Sequence, residues 1–252
     1  MAKIGVMDSG CGGLSVLREL LRVLPEEEYL YFSDNANCPY GEKSRDFILG
    51  RCREIVEGFL REGVQAVVIA CNTATAAAIA TLRQEYPLVP FVGMEPAVKP
   101  AVKGTHTGTI GVLATGSTLR SSKYADTRDR YAQGVRVVEH IGEGFVELVE
   151  ALDLNSDNTR AVVERSLRPL LEQGADNIVL GCTHYPFLVP VMQEIAGPDV
   201  CFIDPAPAAA LQLSRVMDAF GMSKGKGPGR VELKSSGPID SVRRLYESLR
   251  EV

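Results

Sequence analysis

Short apolar runs alternate along the chain with longer segments whose apolar residues recur at helical spacing. The apolar runs predict strands at Lys3–Asp8, 29–33, 66–70, 90–94, Thr109–Ala114, 135–140, Asn177–Gly181, 200–203 and 230–234. The amphipathic segments predict helices at 13–24, 44–63, 73–86, 118–132, 145–152, 159–173, 186–195, 207–220 and 239–249. Residues 103–108 and 223–229 are rich in turn formers and predict a crossover and a linker. Strands that alternate with helices indicate an α/β protein with mostly parallel sheets.

Two stretches of the chain resemble each other. The sequence Lys-Ile-Gly-Val-Met-Asp-Ser-Gly at 3–10 is similar to Thr-Ile-Gly-Val-Leu-Ala-Thr-Gly at 109–116, and Cys71 and Cys182 each follow a later apolar run. We therefore predict two similar α/β domains related by pseudo-twofold symmetry, with the active site in the cleft between them. The first domain is expected at 1–97 plus 207–252, and the second at 98–206.

The chemistry-bearing residues fall where the predicted strands end, which is where parallel sheets bind ligands. These residues are Asp8, Ser9, Cys71, Asn72, Thr115, Cys182 and Thr183. A thiol between a strand and a helix faces backbone N–H groups and the positive end of the helix dipole, which stabilise a thiolate. A single cysteine there is more often a small buried apolar residue. Two in matching surroundings favour a pair of thiols that face one substrate from opposite sides.

Several motifs allow a second interpretation. Cys182 with His184 fits a Cys/His hydrolase, which would leave Cys71 unexplained. The glycine-rich segment 8–13 matches neither a dinucleotide fingerprint nor a P-loop. It predicts either a turn that brings a small anion to backbone N–H groups or a helix capped by Asp8 or Ser9.

The positions of the other residues in the sequence predict their roles. This applies to the turn-rich loop, the remaining cysteines and the remaining histidines. Segment 34–41 is either a surface loop or a loop that covers the substrate and contacts a carboxylate through Tyr40 and the Gly41 N–H. The structural residues are expected to be Cys11, Cys38, Cys52 and Cys201, as small buried side chains, together with His106 in the crossover and His140 in a strand.

Composition narrows the functional classes. The chain has 252 residues, of which 45% are hydrophobic and 23% charged, and its net charge is −5 without a basic block. This argues against nucleic acid or an acidic membrane as the main partner. We expect no membrane span, no signal peptide and, without a C-x-x-C pair, no structural zinc. Working thiols need a reducing compartment, so the cytoplasm is predicted.

The motifs together resemble the bacterial glutamate racemases, which belong to the cofactor-independent aspartate/glutamate racemases. The segments that carry the resemblance are Asp8-Ser9-Gly10-x-Gly12-Gly13, Asp34 with Cys38-Pro39-Tyr40-Gly41, Ala70-Cys71-Asn72-Thr73-Ala74 and Leu180-Gly181-Cys182-Thr183-His184-Tyr185-Pro186. The resemblance implies interconversion of L- and D-glutamate, the D-isomer supplying peptidoglycan synthesis, without pyridoxal phosphate or metal. We also expect a homodimer.

The resemblance also implies residue roles. Cys71 is expected to act on the D-isomer with help from Asp8, and Cys182 on the L-isomer with help from His184. The residues implied around the substrate are Asp8, Ser9, Tyr40, Gly41, Asn72, Thr73, Thr183 and His184, with Asp34, Glu150 and Thr115 as further candidates.

The chain departs from the family at Ser33 and at 35–37, where the family more often has Gly-Asp-Thr-Ala. Some relatives respond to a cell-wall precursor through an N-terminal extension; because Asp8 lies close to Met1, no such response is expected. The alternatives are an aspartate racemase, which usually has an acid in place of His184, another amino-acid racemase of the same superfamily, and a non-catalytic dicarboxylate-binding protein.

Overall fold

In the computed structural model, which describes residues 1–223 and 225–249, the chain divides into two α/β units. One unit comprises Met1–Met94 and the chain from Ala206 onward, and the other comprises Glu95–Pro205. Residue 224 of the predicted linker and residues 250–252 of the predicted first domain lie outside the described residues.

The first unit contains one parallel sheet with helices around it. Its strands are β1 (Lys3–Asp8), β2 (Glu28–Ser33), β3 (Ala66–Ile69), β4 (Phe91–Gly93) and β9 (Arg230–Ser235), in the order β4-β3-β1-β2-β9. Its helices are α1 (Leu14–Val23), α2 (Arg45–Arg61), α3 (Asn72–Glu85), α10 (Ala206–Ala219) and α11 (Asp240–Ser248). The interior strand β3 is buried over its whole length, as expected for a sheet covered on both faces.

The second unit repeats this arrangement on a smaller scale. Its strands are β5 (Thr109–Ala114), β6 (Arg136–Ile141), β7 (Asn177–Gly181) and β8 (Cys201–Ile203), all parallel, in the order β6-β5-β7-β8. Its helices are α4 (Val98–Gly104), α5 (Gly116–Leu119), α6 (Ser122–Tyr131), α7 (Phe145–Glu150), α8 (Asp157–Leu171) and α9 (Val189–Ala196).

The two sheets have the same strand order when β5–β8 are matched with β1–β4. Their register agrees as well. Gly5 pairs with Val67, four residues before Cys71, and Gly111 pairs with Ile178, four residues before Cys182. The prediction of two similar α/β units with parallel sheets is confirmed, and each unit holds its cysteine at the corresponding strand end.

Helix α2 covers the face of the first sheet that carries Leu30 and Val67 in the same apolar cluster. It starts where the Ser44 hydroxyl accepts a hydrogen bond from the Phe47 N–H, at 3.3 Å. Gly5 allows the close packing, because a side-chain carbon there would lie 2.5 Å from the Phe59 ring.

Two helical predictions in the second unit are wrong in detail, and one helix was not predicted. The helix predicted at 118–132 is two helices, α5 and α6, because the hydroxyls of Thr115 and Ser121 each cap a separate N-terminus. The helix predicted at 186–195 is a 3₁₀ turn, Tyr185–Leu188, followed by α9. Pro190 has no N–H to donate, so a continuous α-helix could not form its hydrogen bond there. Helix α4 was not predicted; its Pro100 lies in the first turn, where no donor is needed.

Among the described residues, none of the helices combines the length and the apolar character that crossing a bilayer requires.

Candidate active site

Cys71 lies at the N-terminus of α3, directly after the buried strand β3. Its sulfur accepts a hydrogen bond from the Ala74 N–H at 3.4 Å and one from the Ser9 hydroxyl at 3.6 Å. The residue is 6% exposed. Two donors and the positive end of a helix of 14 residues therefore surround one nearly buried sulfur, which is the environment that stabilises a thiolate.

The first residues of α3 present polar side chains beside this sulfur. Asn72 and Thr73 are both buried, with 4% of each residue exposed. The amide oxygen and the amide nitrogen of Asn72 find no hydrogen-bond partner among the described residues. Because a buried amide is costly to leave unsatisfied, this side chain is suited to hydrogen-bond a ligand.

Asp8 ends β1 and is completely buried. Its carboxylate accepts a hydrogen bond from the Gly10 N–H at 2.9 Å. Gly13 leaves room for it, since a side-chain carbon at position 13 would lie 2.5 Å from the Asp8 Cβ. The alternative that Asp8 or Ser9 caps α1 is wrong, because Gly13 occupies the cap position and no side chain caps the helix.

Asp34 lies at the centre of a hydrogen-bonded cluster. The Tyr40 hydroxyl donates to its Oδ2 at 2.6 Å, and Arg51 from α2 donates to both carboxylate oxygens, at 3.0 and 2.8 Å. Burial alone would raise the pKa of Asp34, but the hydrogen bonds from Arg51, Tyr40, Ser236 and Asn37 outweigh it and hold the pKa below its ordinary value. Asp34 is therefore an ionised, paired carboxylate.

Tyr40 is fixed by the same cluster. Burial, and next the hydrogen bond to Asp34, raise the pKa of Tyr40 far above its ordinary value, so its proton stays in the bond to Asp34. The hydroxyl oxygen can then offer a ligand only an acceptor. The role of Tyr40 and Gly41 toward a substrate carboxylate stays a prediction.

Cys182 follows β7 in the second unit and contacts a histidine. Its Sγ lies 3.7 Å from His184 Nδ1, and His184 Nε2 lies 2.7 Å from Glu150 Oε1, at the end of α7. Cys182 is 8% exposed, and Thr183 and His184 are buried. Cys182 can therefore exchange a proton with His184, while Glu150 orients the imidazole ring and stabilises its charged form.

The expectation that Cys182 sits at the N-terminus of an α-helix is wrong. The 3₁₀ turn begins at Tyr185 with His184 in the cap position, and α9 begins only at Val189. One turn carries little dipole, so the His184–Glu150 pair supplies the polar environment that α3 supplies to Cys71.

The other predicted residues have structural contacts. Thr115 caps α5, and its hydroxyl lies 3.0 Å from that of Thr118. No disulfide joins any of the six cysteines, all of which lie in the described part of the chain. Cys11 and Cys52 are buried as predicted, but Cys38 is half-buried and Cys201 is exposed. Strand β8 is a sheet edge, which leaves the Cys201 side chain uncovered.

Sequence reasoning missed Arg51, which lies 17 residues from Asp34 in the chain. Nothing in a helix rich in charged residues marks one arginine as the partner of a buried carboxylate. Glu150 was named only through the resemblance, and its contact with His184 spans 34 residues.

Fold and site thus define a class: an α/β protein of two repeated units, each with a nearly buried thiol at the carboxyl end of an interior strand. The model of the Asp/Glu/Hydantoin racemase family matches residues 4–213. The glutamate racemase of Pseudomonas paraeruginosa is 53% identical over 216 residues, which are 86% of this chain and 82% of that protein. The chain belongs to the aspartate/glutamate racemase family and is an amino-acid racemase, an isomerase.

Solved structures agree with this assignment. Glutamate racemase RacE1 from Bacillus anthracis superposes with a TM-score of 0.89 at 32% identity, covering 100% of this chain and 94% of that one. The Escherichia coli glutamate racemase, crystallised with L-glutamate and the activator UDP-MurNAc-Ala, gives a TM-score of 0.88 at 30% identity and covers 98% and 95%.

Proposed function

We propose that this racemase interconverts L- and D-glutamate without a cofactor, using Cys71 and Cys182 as its two acid/base groups. The observation that carries the proposal is the matching placement of the two thiols. Each follows the same strand of a repeated unit, and each sulfur contacts a side chain that can hold or pass a proton. Similarity to proteins named glutamate racemase supports glutamate as the substrate.

The proposed reaction moves one proton off the α-carbon and one onto it. A thiolate on one face removes the α-proton, so that a C–H bond breaks, an S–H bond forms and the electron pair stays on the α-carbon. The thiol on the other face then gives its proton to that carbon. The configuration inverts, nothing is consumed, and the two sulfurs exchange protonation states.

Each thiol has its own assistant in this proposal. Ser9 and the N-terminus of α3 stabilise the Cys71 thiolate, with Asp8 as the nearby acid. His184, oriented by Glu150, exchanges a proton with Cys182. From the resemblance, Cys71 serves the D-isomer and Cys182 the L-isomer.

Polar groups around the α-carboxylate lower the cost of the carbanion-like state. The Asn72 amide is the strongest candidate, because both of its polar atoms are buried and without a partner among the described residues. We assign the remaining substrate contacts to Thr73, Thr183 and the Gly41 N–H, to the Tyr40 hydroxyl oxygen as an acceptor, and to Thr115 as a further candidate.

From the family resemblance, we propose that the D-glutamate produced is used for peptidoglycan synthesis. A reaction that depends on two reduced thiols suits the cytoplasm. We keep the homodimer as part of the proposal.

Circular dichroism of purified protein with L-glutamate, without added pyridoxal phosphate, tests this function. We expect the signal to decay to zero, in the presence or absence of EDTA, and D-glutamate to reach the same end point. Aspartate is expected to react poorly. Faster reaction with aspartate would favour the alternative substrate, and loss of activity in EDTA would contradict the cofactor-free mechanism.

A further inference from the structure

Arg51 is bound to the loop that leaves strand β2. Its Nε and one terminal nitrogen donate to the two oxygens of Asp34, at 3.0 and 2.8 Å, and its other terminal nitrogen contacts Glu54. The Arg51 side chain is 22% exposed, whereas that of Asp34 is completely buried. A fork of two bonds to a carboxylate fixes its orientation as well as its charge.

Asp34 contacts residues at both ends of the loop. Its backbone N–H donates to the Asp8 carbonyl at 2.9 Å, which ties the loop to the end of β1. Its Oδ2 accepts from the Tyr40 hydroxyl at 2.6 Å, which fixes the buried ring at the start of the 3₁₀ turn Tyr40–Glu42. Gly41 is the middle residue of that turn. Its position is therefore fixed indirectly by Arg51, through Asp34 and Tyr40.

We propose that Arg51 is a positioning residue of the racemase, which holds the Tyr40–Gly41 turn in its substrate-binding arrangement through Asp34. The inference rests on the proposed function, since it is glutamate that the turn would bind. Arg51 is not expected to touch the substrate. Its contribution is to keep a buried carboxylate in one orientation so that the turn does not have to be ordered when glutamate binds.

Arg53, two residues further along α2, is an arginine to which we assign no such role. It also forms a two-bond pair with a carboxylate, that of Glu85, but 42% of the Arg53 side chain and 34% of the Glu85 side chain are exposed. Exposed ion pairs contribute little to stability. Arg53 is therefore a matched control: the same residue type, helix and kind of bond, without a buried partner.

Removal of the Arg51 charge leaves a buried Asp34 carboxylate whose protonation is then governed by its other neighbours. The groups that face the cluster are Arg51, Cys52 and Glu54 from α2, Tyr40 and Asn37 from the loop, Cys71 from α3 and Ser236 after β9. Burial raises the pKa of Asp34, and Arg51 supplies the largest opposing contribution, so without Arg51 the carboxyl takes up its proton at higher pH.

The test compares Arg51→Met, Arg51→Lys and Arg53→Met with the wild-type enzyme in glutamate racemisation. A displaced substrate contact costs about 10- to 100-fold in kcat/KM. We expect such a loss for Arg51→Met, mainly as an increase in KM, and no loss for Arg53→Met. Arg51→Lys keeps the charge but not the fork, and is expected to lie between the two.

The pH profile separates positioning from a general loss of structure. For Arg51→Met, log kcat/KM is expected to fall toward acid pH from a higher pH than in the wild type. The reason is that Asp34, once protonated, is no longer a charged acceptor for the hydrogen bond from the Tyr40 hydroxyl. The double variant Arg51→Met/Asp34→Asn has no carboxyl to titrate and should lack this acid limb. The double variant also removes the unpaired buried charge that could prevent Arg51→Met from folding. It can therefore be assayed even if Arg51→Met does not fold.

Each result decides between the two claims. A wild-type enzyme that does not racemise glutamate refutes the proposed function. An active wild type with kcat/KM unchanged in Arg51→Met, or with equal losses in Arg51→Met and Arg53→Met, overturns the role of Arg51 alone. If the acid limb of the double variant stays at the raised pH found for Arg51→Met, the role of Arg51 is overturned as well.

Discussion

Replacing Glu150 by glutamine isolates one contact on the Cys182 side of the proposed mechanism. Glu150 Oε1 lies 2.7 Å from His184 Nε2, and the other ring nitrogen faces Cys182 Sγ at 3.7 Å. The carboxylate keeps a proton on Nε2, so that Nδ1 is the nitrogen that exchanges a proton with the thiol. It also stabilises the imidazolium that forms when His184 takes that proton. Glutamine keeps the shape of the side chain and removes the charge.

The magnitude follows from the kind of hydrogen bond that is lost. A bond to a charged group contributes about 1.5–3 kcal/mol and a neutral one about 0.5–1.5 kcal/mol, so the difference is about 1–1.5 kcal/mol. Because 21% of the Glu150 side chain is exposed, solvent screening favours the lower end. We therefore expect kcat/KM to fall about 5- to 10-fold. Glu147→Gln, on the same helix but exposed, is the control and should change little.

The assay must identify the face that is affected. L- and D-glutamate have equal free energies, so kcat/KM falls equally in both directions and rates alone cannot distinguish the faces. The primary isotope effect with glutamate deuterated at the α-carbon can. It should increase for the L-isomer and decrease for the D-isomer, because proton removal by Cys182 becomes the slower step. An increase for the D-isomer instead, or a rate within twofold of wild type, would refute the reasoning.

Three further substitutions probe single contacts. Ser9→Ala removes a hydrogen bond to the Cys71 sulfur and should lower kcat/KM about 5-fold, with a larger isotope effect for D-glutamate; an unchanged isotope effect would contradict this. Ser33→Ala removes a buried hydroxyl that has no partner among the described residues, so denaturant titration should show a free energy of unfolding higher by about 1 kcal/mol, and a decrease would show that the hydroxyl is bonded. In Asp176, burial raises the pKa but hydrogen bonds from 105–107 hold it below its ordinary value, so the carboxylate stabilises the fold above the ordinary aspartate range and this contribution is lost as pH falls. Asp176→Asn should thus destabilise the protein most at about pH 7, and the loss should become progressively smaller as the pH falls below the ordinary aspartate range; equal losses at about pH 7 and about pH 3 would argue against the linkage.

Much of the fold could be predicted from the sequence because the interior strands are buried on both faces. A buried parallel strand is a continuous apolar run, and such runs place Thr109–Ala114 and Asn177–Gly181 with their observed bounds. The boundaries of the helices were harder to predict. Ser121 looks like an ordinary polar residue within an amphipathic pattern, and only its position before Tyr124 makes it a cap that divides the predicted helix.

The site shows the same division between local and distant contacts. Cys71 and Cys182 were placed at strand ends by the pattern around them, which is local. The partners of His184 and Asp34 come from helices 34 and 17 residues away, and no periodicity encodes such pairs. Cys182 lacks the predicted helix dipole because Pro190 delays the start of the helix that the apolar pattern predicts.

The central claim, that two thiols act on opposite faces of glutamate, is tested most directly with the single variants Cys71→Ser and Cys182→Ser. The measurement is elimination from the two enantiomers of a glutamate analogue that carries a leaving group on the β-carbon, a reaction that needs proton removal from one face only. Neither variant should racemise glutamate, because each turnover needs both sulfurs. Cys71→Ser should retain elimination from the L-analogue and Cys182→Ser from the D-analogue. Racemisation near the wild-type rate in either variant would contradict the two-thiol mechanism, and the same enantiomer accepted by both would contradict the assignment of faces.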